Sequence, residues 1–465
     1  MPGRAALPST ALAALRSTLA SRNIRPSLLR TFATATTTTT PTNPPVPTAS
    51  HTHKVVLIGG GTAGLTIAHQ LLLTGKFTQD DLAIVDPSST HDYQPGWTLV
   101  GGGLKRREDL RYSLPSLLDP KLKLYPTAVT ALSPTTNSLT LSSSQTLTYD
   151  HLVICPGIRI NYSSIKGLPS ALADRSSLVS SIYGYDTCAK VFPSIAQFQK
   201  GSAIFTQPAG PIKCAGAPQK AMWLALDHWK RQGVYDPANM KESPVKITFA
   251  TGTPMMFGVK KYSDKLDELR VERGVEGLFG HDLVEVAGGD RAVFEKVGSG
   301  ERVERRFDFL HVVPKMGPYE FVKESEVADG AGFVEVDEST TRHKRFGNVW
   351  SAGDASSLPT SKTAAAITAQ APVLVGNLVA VMEGREPTEV YDGYTSCPLT
   401  TGYGKVLLAE FKYGGVPKET FGDWFGIDQV EPRRVFYHLK KDFFPWVYLK
   451  YMVKGAWGGP KGWIN

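Results

Sequence analysis

Apolar residues along this chain fall into two spacings. Short uninterrupted runs, VVLI at 55–58, LAIV at 82–85, LVI at 152–154 and AIF at 203–205, stop abruptly at Gly, Asp, Pro or a polar residue. Runs of this length, bounded by turn residues, predict strands buried on both faces, the pattern of a parallel sheet. Between them the period lengthens. After Gly64 the pattern through Leu72 is helical, and the uncharged stretch 363–382, interrupted by Gln370, Pro372 and Asn377, predicts a buried helix rather than a membrane span. Strand, glycine turn, helix and strand in succession specify an α/β fold.

The same strand pattern occurs twice, as YDHLVICP at 149–156 and FDFLHVVP at 307–314. That echo predicts a second nucleotide-fold lobe inserted into the first. The expected divisions are 53–160 for the first part of one Rossmann-like lobe, 161–345 for the inserted lobe and 346–385 for the closing part of the first. A C-terminal region, 386–465, follows.

Composition sharpens this picture at the two ends. The chain has 465 residues, 42% hydrophobic and 20% charged, which suits several packed domains. Its net charge of +8 is uneven: seven Lys or Arg and no acid precede Asp80, and residues 433–465 hold seven more against Asp442 alone. Two basic ends around a mildly acidic body argue against a nucleic-acid binder, which would spread basic residues over one folded face. Residues 1–33 combine five arginines with Ser, Thr and a Leu12/Leu15/Leu19 face and no acid, the composition of a mitochondrial transit peptide. Residues 34–52, rich in Thr and Pro, read as a flexible spacer, with folding expected to begin near His53.

Chemistry enters at the first strand. Gly59-x-Gly61-x-x-Gly64 follows a strand and opens a helix, and a second strand ends in Asp86. The glycines allow a tight turn and close approach to a pyrophosphate at the helix N-terminus, and Asp86 is placed to hold a ribose hydroxyl. Together these predict an ADP-containing cofactor. Which one follows from NVWSAGDASSLP at 348–359: a strand running into Gly353-Asp354 resembles the second element of FAD-binding two-dinucleotide flavoproteins. There the Asp holds the ribityl chain, and the next helix favours the anionic reduced flavin. The inserted lobe lacks a glycine fingerprint. Its strand runs into QPAGPIKCAGAPQ, where Pro208 and Pro211 remove N–H donors that a pyrophosphate needs, so the reductant is expected to be something other than a nicotinamide.

Four cysteines, Cys155, Cys188, Cys214 and Cys397, are too few for a disulfide scaffold and lack metal-ligand spacing, so no metal is expected. Cys155 and Cys188 read as buried small apolar residues. Cys214 and Cys397 lie in Gly-, Pro-, Ser- or Thr-rich segments near Lys213, Lys220 and Lys405, which would favour thiolates. A thiol relay to the flavin is one reading, although spacing alone does not bring the two together.

The segments YQPGWTLVGGG, PIKCAGAPQKAMWL, MFGVKKY, LPTSKTAAAITAQ, YDGYTSCPLTTGY and AWGGP resemble the eukaryotic mitochondrial sulfide:quinone oxidoreductases from about residue 53 onward. The resemblance implies a glutathione-reductase-like flavoprotein fold carrying FAD, with Cys214 and Cys397 as a redox centre bridged directly or through an extra sulfur. Sulfide would attack at Cys397 and leave a persulfide, Cys214 would be released toward the flavin, and two electrons would pass to ubiquinone. The sulfane sulfur would go to an acceptor thiol such as glutathione, or to sulfite. It further implies charge-stabilising roles for Lys220 and Lys440. Thr62, Ala63, Asp86, Gln94, Val129, Asp354 and Ala364 align with flavin-contacting positions of that family, and with Gly59, Gly61, Gly64, Gly353, Lys362 and Thr363 they make up the expected cofactor set. One departure is Ser170, where some members have Glu after Gly-Leu-Pro, so a proton-transfer role for that carboxylate is dropped. The alternatives weighed are a type II NADH:quinone dehydrogenase and a flavin-bearing redox sensor.

A quinone-linked enzyme must also reach a bilayer. The C-terminal stretch from Val435 interleaves Phe443, Phe444, Trp446, Tyr448, Leu449, Tyr451, Met452 and Trp457 with Lys440, Lys441, Lys450 and Lys454. This predicts an amphipathic foot lying on the matrix face of the mitochondrial inner membrane. A homo-oligomer is left open.

Overall fold

The computed structural model describes residues 51–463, so the predicted transit peptide and nearly all of the predicted spacer lie outside the described residues. The first lobe is a seven-stranded sheet made of β1 (His51–Ile58), β2 (Leu82–Val85), β3 (Lys123–Tyr125), β4 (Val129–Ser133), β5 (Ser138–Leu141), β6 (Thr146–Ile154) and one late strand. Its order is β3-β2-β1-β6-β5-β4. β1 starts two residues before the expected boundary because His51 and Thr52 extend the parallel ladder onto Leu147 and Thr148. Both faces of β1 are covered: Val55 and Leu57 pack with helix α1 (Thr62–Leu73), while Val56 and Ile58 join Val85, Leu152 and Ile154 on the other side. That double burial is why the strand reads as an unbroken apolar run, with each aliphatic side chain contributing ~1.5–3 kcal/mol.

The inserted lobe contains a five-stranded, all-parallel sheet: β7 (Val179–Ser180), β8 (Gly201–Gln207), β9 (Val245–Thr251), β10 (Glu276–Phe279) and β11 (Phe309–His311), ordered β7-β11-β8-β9-β10. The internal echo is thereby explained. β6 lies parallel beside β1, the strand that leads into α1, and β11 lies parallel beside β8, the strand that leads into the second lobe's helix. After β8 comes the loop 208–216 and then helix α2 (Ala217–Arg231), whose Trp223 and Trp229 are fully buried.

β12 (Val349–Ser351) then returns to the first sheet by pairing with the end of β6, and delivers Gly353-Asp354 beside the fingerprint loop. Helix α3 (Ala364–Met382) follows. It is long and apolar enough to span a bilayer, yet Ile367, Leu374 and Leu378 pack against α1, which makes it a core helix. A hairpin, β13 (Thr395–Gly402) with β14 (Lys405–Phe411), lies against the inserted lobe, and Cys397, Leu399 and Leu407 share the apolar cluster of Trp223 and Trp229. Helix α4 (Arg434–His438), a π-type turn at Leu439–Phe443 and helix α5 (Phe444–Lys450) carry the chain back onto the first lobe.

Candidate active site

The fingerprint loop is shaped by two close approaches. Gly59 adopts φ +103°, and a Cβ there would lie 2.5 Å from the Cys155 carbonyl oxygen; a Cβ on Gly64 would sit on the Gly59 carbonyl. Gly61, by contrast, faces open space, and α1 starts there with no side-chain cap. The N–H groups of the first turn therefore have no side-chain partner, the condition that suits an anionic ligand. Asp86 accepts from the Gly60 N–H at 2.6 Å and from the Ser88 N–H at 2.7 Å, so it braces the loop from the end of β2. Thr62 opens α1, and Ala63 touches the second motif: a Cβ on Gly353 would lie 3.3 Å from that of Ala63. Elements almost 300 residues apart thus form one cleft.

Gly353, Asp354, Lys362, Thr363 and Gln370 line the cleft's continuation. The Gly353 N–H donates to the Gln370 side chain at 2.8 Å. Burial pushes the Asp354 carboxyl up, opposed by the charges of Lys362 and Lys213. Lys362 donates to the carbonyls of Asp354 at 2.7 Å and Ser356 at 3.2 Å, so it fixes the turn from behind. Thr363 caps α3 by accepting from the Ala366 N–H at 3.1 Å, and Ala364 is the helix's first residue. Gln94 accepts from Lys213 at 3.1 Å. Val129 opens β4 and is buried among Val85 and Tyr125 at the far side of the same sheet.

The cysteine loop joins this cleft directly, because the Cys214 N–H donates to the Lys362 carbonyl at 2.8 Å. Cys214 has φ +53°, a left-handed conformation that is strained for a residue with a Cβ. Its sulfur lies 3.3 Å from that of Cys397, which β13 brings in from a separate hairpin. Gly216 makes room: a Cβ there would lie 2.6 Å from the Cys397 sulfur. Lys220, in the first turns of α2 and 2% exposed, donates to the Cys214 sulfur at 3.3 Å. The Cys214 thiol is held well below its ordinary range, first by the hydrogen bond from Cys397 and then, against burial, by the charges of Lys220 and Lys440. Cys397 is correspondingly held well above. These directions favour the thiolate on Cys214 and the proton on Cys397.

Lys440 comes from the π-type turn, is 6% exposed, and is pushed down to about 7 by burial and by the charge of Lys220. A π-type turn in a helix often marks a functional residue. Two expected contributors do not reach the sulfurs. Lys213 points to Gln94, and Lys405 is exposed at the turn of the β13–β14 hairpin, eight residues from Cys397. Cys155 and Cys188 are buried free thiols pushed up to about 12 by burial, as their apolar settings suggested. Ser170 is exposed and bonds the Gly167 carbonyl, with no part in the cleft. Unforeseen in the sequence were Gly216 and Tyr183, whose buried hydroxyl donates to the Lys213 carbonyl at 3.0 Å. Burial, then the charges of both cysteines, pushes that phenol far up.

The expected amphipathic foot is only partly surface. Lys440, Tyr448 and Met452 are buried, Tyr448 and Met452 because the segment packs on α1. Phe443 (37% exposed) and Trp446 (47%) remain outward, joined by Trp424, Phe425 and Val435, which the sequence reading did not single out.

No family model matches the chain. A relative named "Sulfide:quinone oxidoreductase, mitochondrial" from Schizosaccharomyces pombe is 47% identical over 435 residues, spanning 90% of this chain and 93% of its own length. Among solved structures, a chain of the Tetrahymena thermophila mitochondrial ATP synthase assembly aligns with a TM-score of 0.76 at 21% identity, covering 88% of this chain and 98% of that one. The sulfide:quinone oxidoreductase of Aquifex aeolicus aligns with a TM-score of 0.68 at 16% identity, covering 85% and 91%. At these identities the two structures carry the fold alone.

Proposed function

The chain belongs to the mitochondrial sulfide:quinone oxidoreductase family, and we propose that it oxidises sulfide at Cys214 and Cys397 with FAD in the adjoining cleft. Its activity is that of the family: electrons taken from sulfide pass to a quinone. The juxtaposition of the two sulfurs, 183 residues apart in sequence and 3.3 Å apart in space, carries the reading of the site.

The cleft suits FAD. An uncapped helix N-terminus meets open space at Gly61, and the half-buried Asp354 carboxylate accepts no hydrogen bond among the described residues. The Gly59 loop would hold the pyrophosphate, Asp86 the ribose and Asp354 the ribityl chain. FAD supplies, when bound, two-electron exchange between a dithiol and a quinone.

The remaining chemistry belongs to the chain's own residues. Hydrosulfide attacks the Cys397 sulfur of a Cys214–Cys397 disulfide; the S–S bond breaks, Cys397 becomes a persulfide and Cys214 leaves as the thiolate. Lys220 stabilises that leaving group through the contact already described. An acceptor thiolate or sulfite then removes the outer sulfur and leaves Cys397 as a thiolate, which takes up a proton. Closing the bond again from the Cys214 thiolate and the Cys397 thiol releases two electrons and one proton. The lowering of Lys440 to about 7 by burial and the charge of Lys220 supports a role for it in exchanging that proton. A 3.3 Å gap lies within closing distance of a disulfide of about 2.05 Å, and one bridging sulfur would also span it.

The nicotinamide-linked alternative lacks a cradle, since the loop after β8 holds prolines and a cysteine where a pyrophosphate would need N–H groups. The exposure of Trp424, Phe425, Phe443 and Trp446 in a lysine-rich C-terminal region supports attachment to the matrix face of the inner membrane. Anaerobic sulfide added to the purified protein tests the site. Wild type should reduce its flavin rapidly, and Cys214→Ser and Cys397→Ser should lose about three orders of magnitude in rate. Wild-type rates in either variant would contradict the assignment.

A further inference from the structure

Tyr448 lies on α5, in a segment whose composition suggests a membrane surface, yet it is 2% exposed and ends at the fingerprint loop. Its hydroxyl is 2.7 Å from the Thr62 hydroxyl and 2.7 Å from His91 Nε2, and His91 Nδ1 is 3.1 Å from the Gly60 carbonyl oxygen. The direction of this chain is fixed by chemistry. A carbonyl only accepts, so Nδ1 carries the proton. Burial lowers the His91 pKa, which keeps the ring neutral and makes Nε2 the acceptor. Tyr448 therefore donates to His91, and Thr62 donates to Tyr448. With Asp86 on the Gly60 N–H and His91 on its carbonyl, the peptide units on both sides of Gly60 are held.

The rest of the segment follows α1. Tyr448 packs on Tyr93 with ring centroids 4.6 Å apart, and Met452 and Val453 are buried in the cluster of Leu65, Ile67 and Leu71. Gly455 approaches the backbone so closely that a Cβ would lie 2.7 Å from the Gln70 nitrogen, and Lys454 donates to the Leu117 carbonyl at 2.6 Å.

We propose that residues 444–455 are a strap on the cofactor loop, in which Tyr448 and His91 are positioning residues that govern how tightly FAD is retained. The inference rests on the FAD reading of the cleft and extends it to residues outside the glycine motif. Because coupling is reciprocal, bound FAD must also hold the strap in place.

The test uses holoenzyme diluted into flavin-free buffer, with release followed by the recovery of free-flavin fluorescence. Tyr448→Phe keeps the ring and removes only the hydroxyl; release should accelerate about tenfold, the effect of one buried hydrogen bond. His91→Phe should do the same, and the double variant should exceed either single by much less than the product, since both act through one chain of bonds. In wild type, excess FAD should slow tryptic cleavage after Lys450. Release rates within twofold of wild type in both single variants would overturn the proposal, even if their melting temperatures fell. Wild type that neither contains nor binds FAD would instead overturn the reading of the cleft itself.

Discussion

In the first lobe β1 delivers three glycines to the start of α1; in the second β8 delivers two prolines, a left-handed cysteine and Gly216 to the start of α2. The place in the fold is the same, and each strand-to-helix junction contains a glycine that cannot tolerate a Cβ, but for different neighbours. Gly64, in the first turn of α1, makes room for the Gly59 carbonyl of the preceding loop, whereas Gly216 makes room for the sulfur of Cys397. One nucleotide-fold unit keeps its anion cradle and the other has become a thiol site. The cysteine then docks on the first lobe's closing segment through the Lys362 carbonyl, so the two sulfurs and the glycine cleft share a wall.

The contrast is broken most severely by paired alanines. Gly64→Ala, forcing a methyl onto the Gly59 carbonyl, should yield protein without flavin. Gly216→Ala displaces only side-chain ends at Cys397 and Leu399, so it should retain flavin and slow sulfide-driven reduction about 10²-fold. Flavin content and stopped-flow reduction separate the two, and loss of flavin in Gly216→Ala would contradict the division of labour. Next in size is Lys220→Met. With the contacting ammonium gone, the Cys214 thiol should rise, and alkylation of reduced enzyme should shift to higher pH, with about tenfold slower reduction near neutrality. An unmoved alkylation profile would show that Lys220 does not set the thiolate.

Lys440 gives a smaller, pH-dependent effect. Its pKa in the folded chain, about 7, lies below the unfolded value, so between the two the unfolded chain binds the extra proton and stability rises with pH. Below about pH 7 the buried charge is present and its cost is complete. Lys440→Met should therefore raise the thermal midpoint most at pH 6 and progressively less toward pH 10; a gain independent of pH would contradict the buried ammonium. Smallest is Cys214→Gly, which should be more stable than Cys214→Ala by about 1 kcal/mol in denaturant unfolding, because glycine removes the left-handed strain. Equal stabilities would show that the loop stores none.

Both lobes were legible in the sequence because parallel strands buried on two faces leave unbroken apolar runs, and because β6 and β11 repeat one pattern. The two cysteines were legible as candidates from their loop composition and from family resemblance. Their meeting was not, since it depends on a hairpin folding across the inserted lobe. Lys405 looked closer to Cys397 than Lys440 did, but a hairpin carries Lys405 away from the sulfur while a distant π-type turn brings Lys440 in. Tyr448 and Met452 were misread for a related reason. Aromatic residues among lysines have the composition of a membrane face, and only the packing on α1 shows that this side of the segment is interior.

The most direct measurement is the flavin spectrum of anaerobic wild-type protein mixed in parallel with sulfide and with NADH. If electrons enter through the thiol loop of the second lobe, sulfide bleaches the flavin within the time of turnover and NADH leaves it oxidised. Rapid bleaching by NADH with none by sulfide would contradict the account.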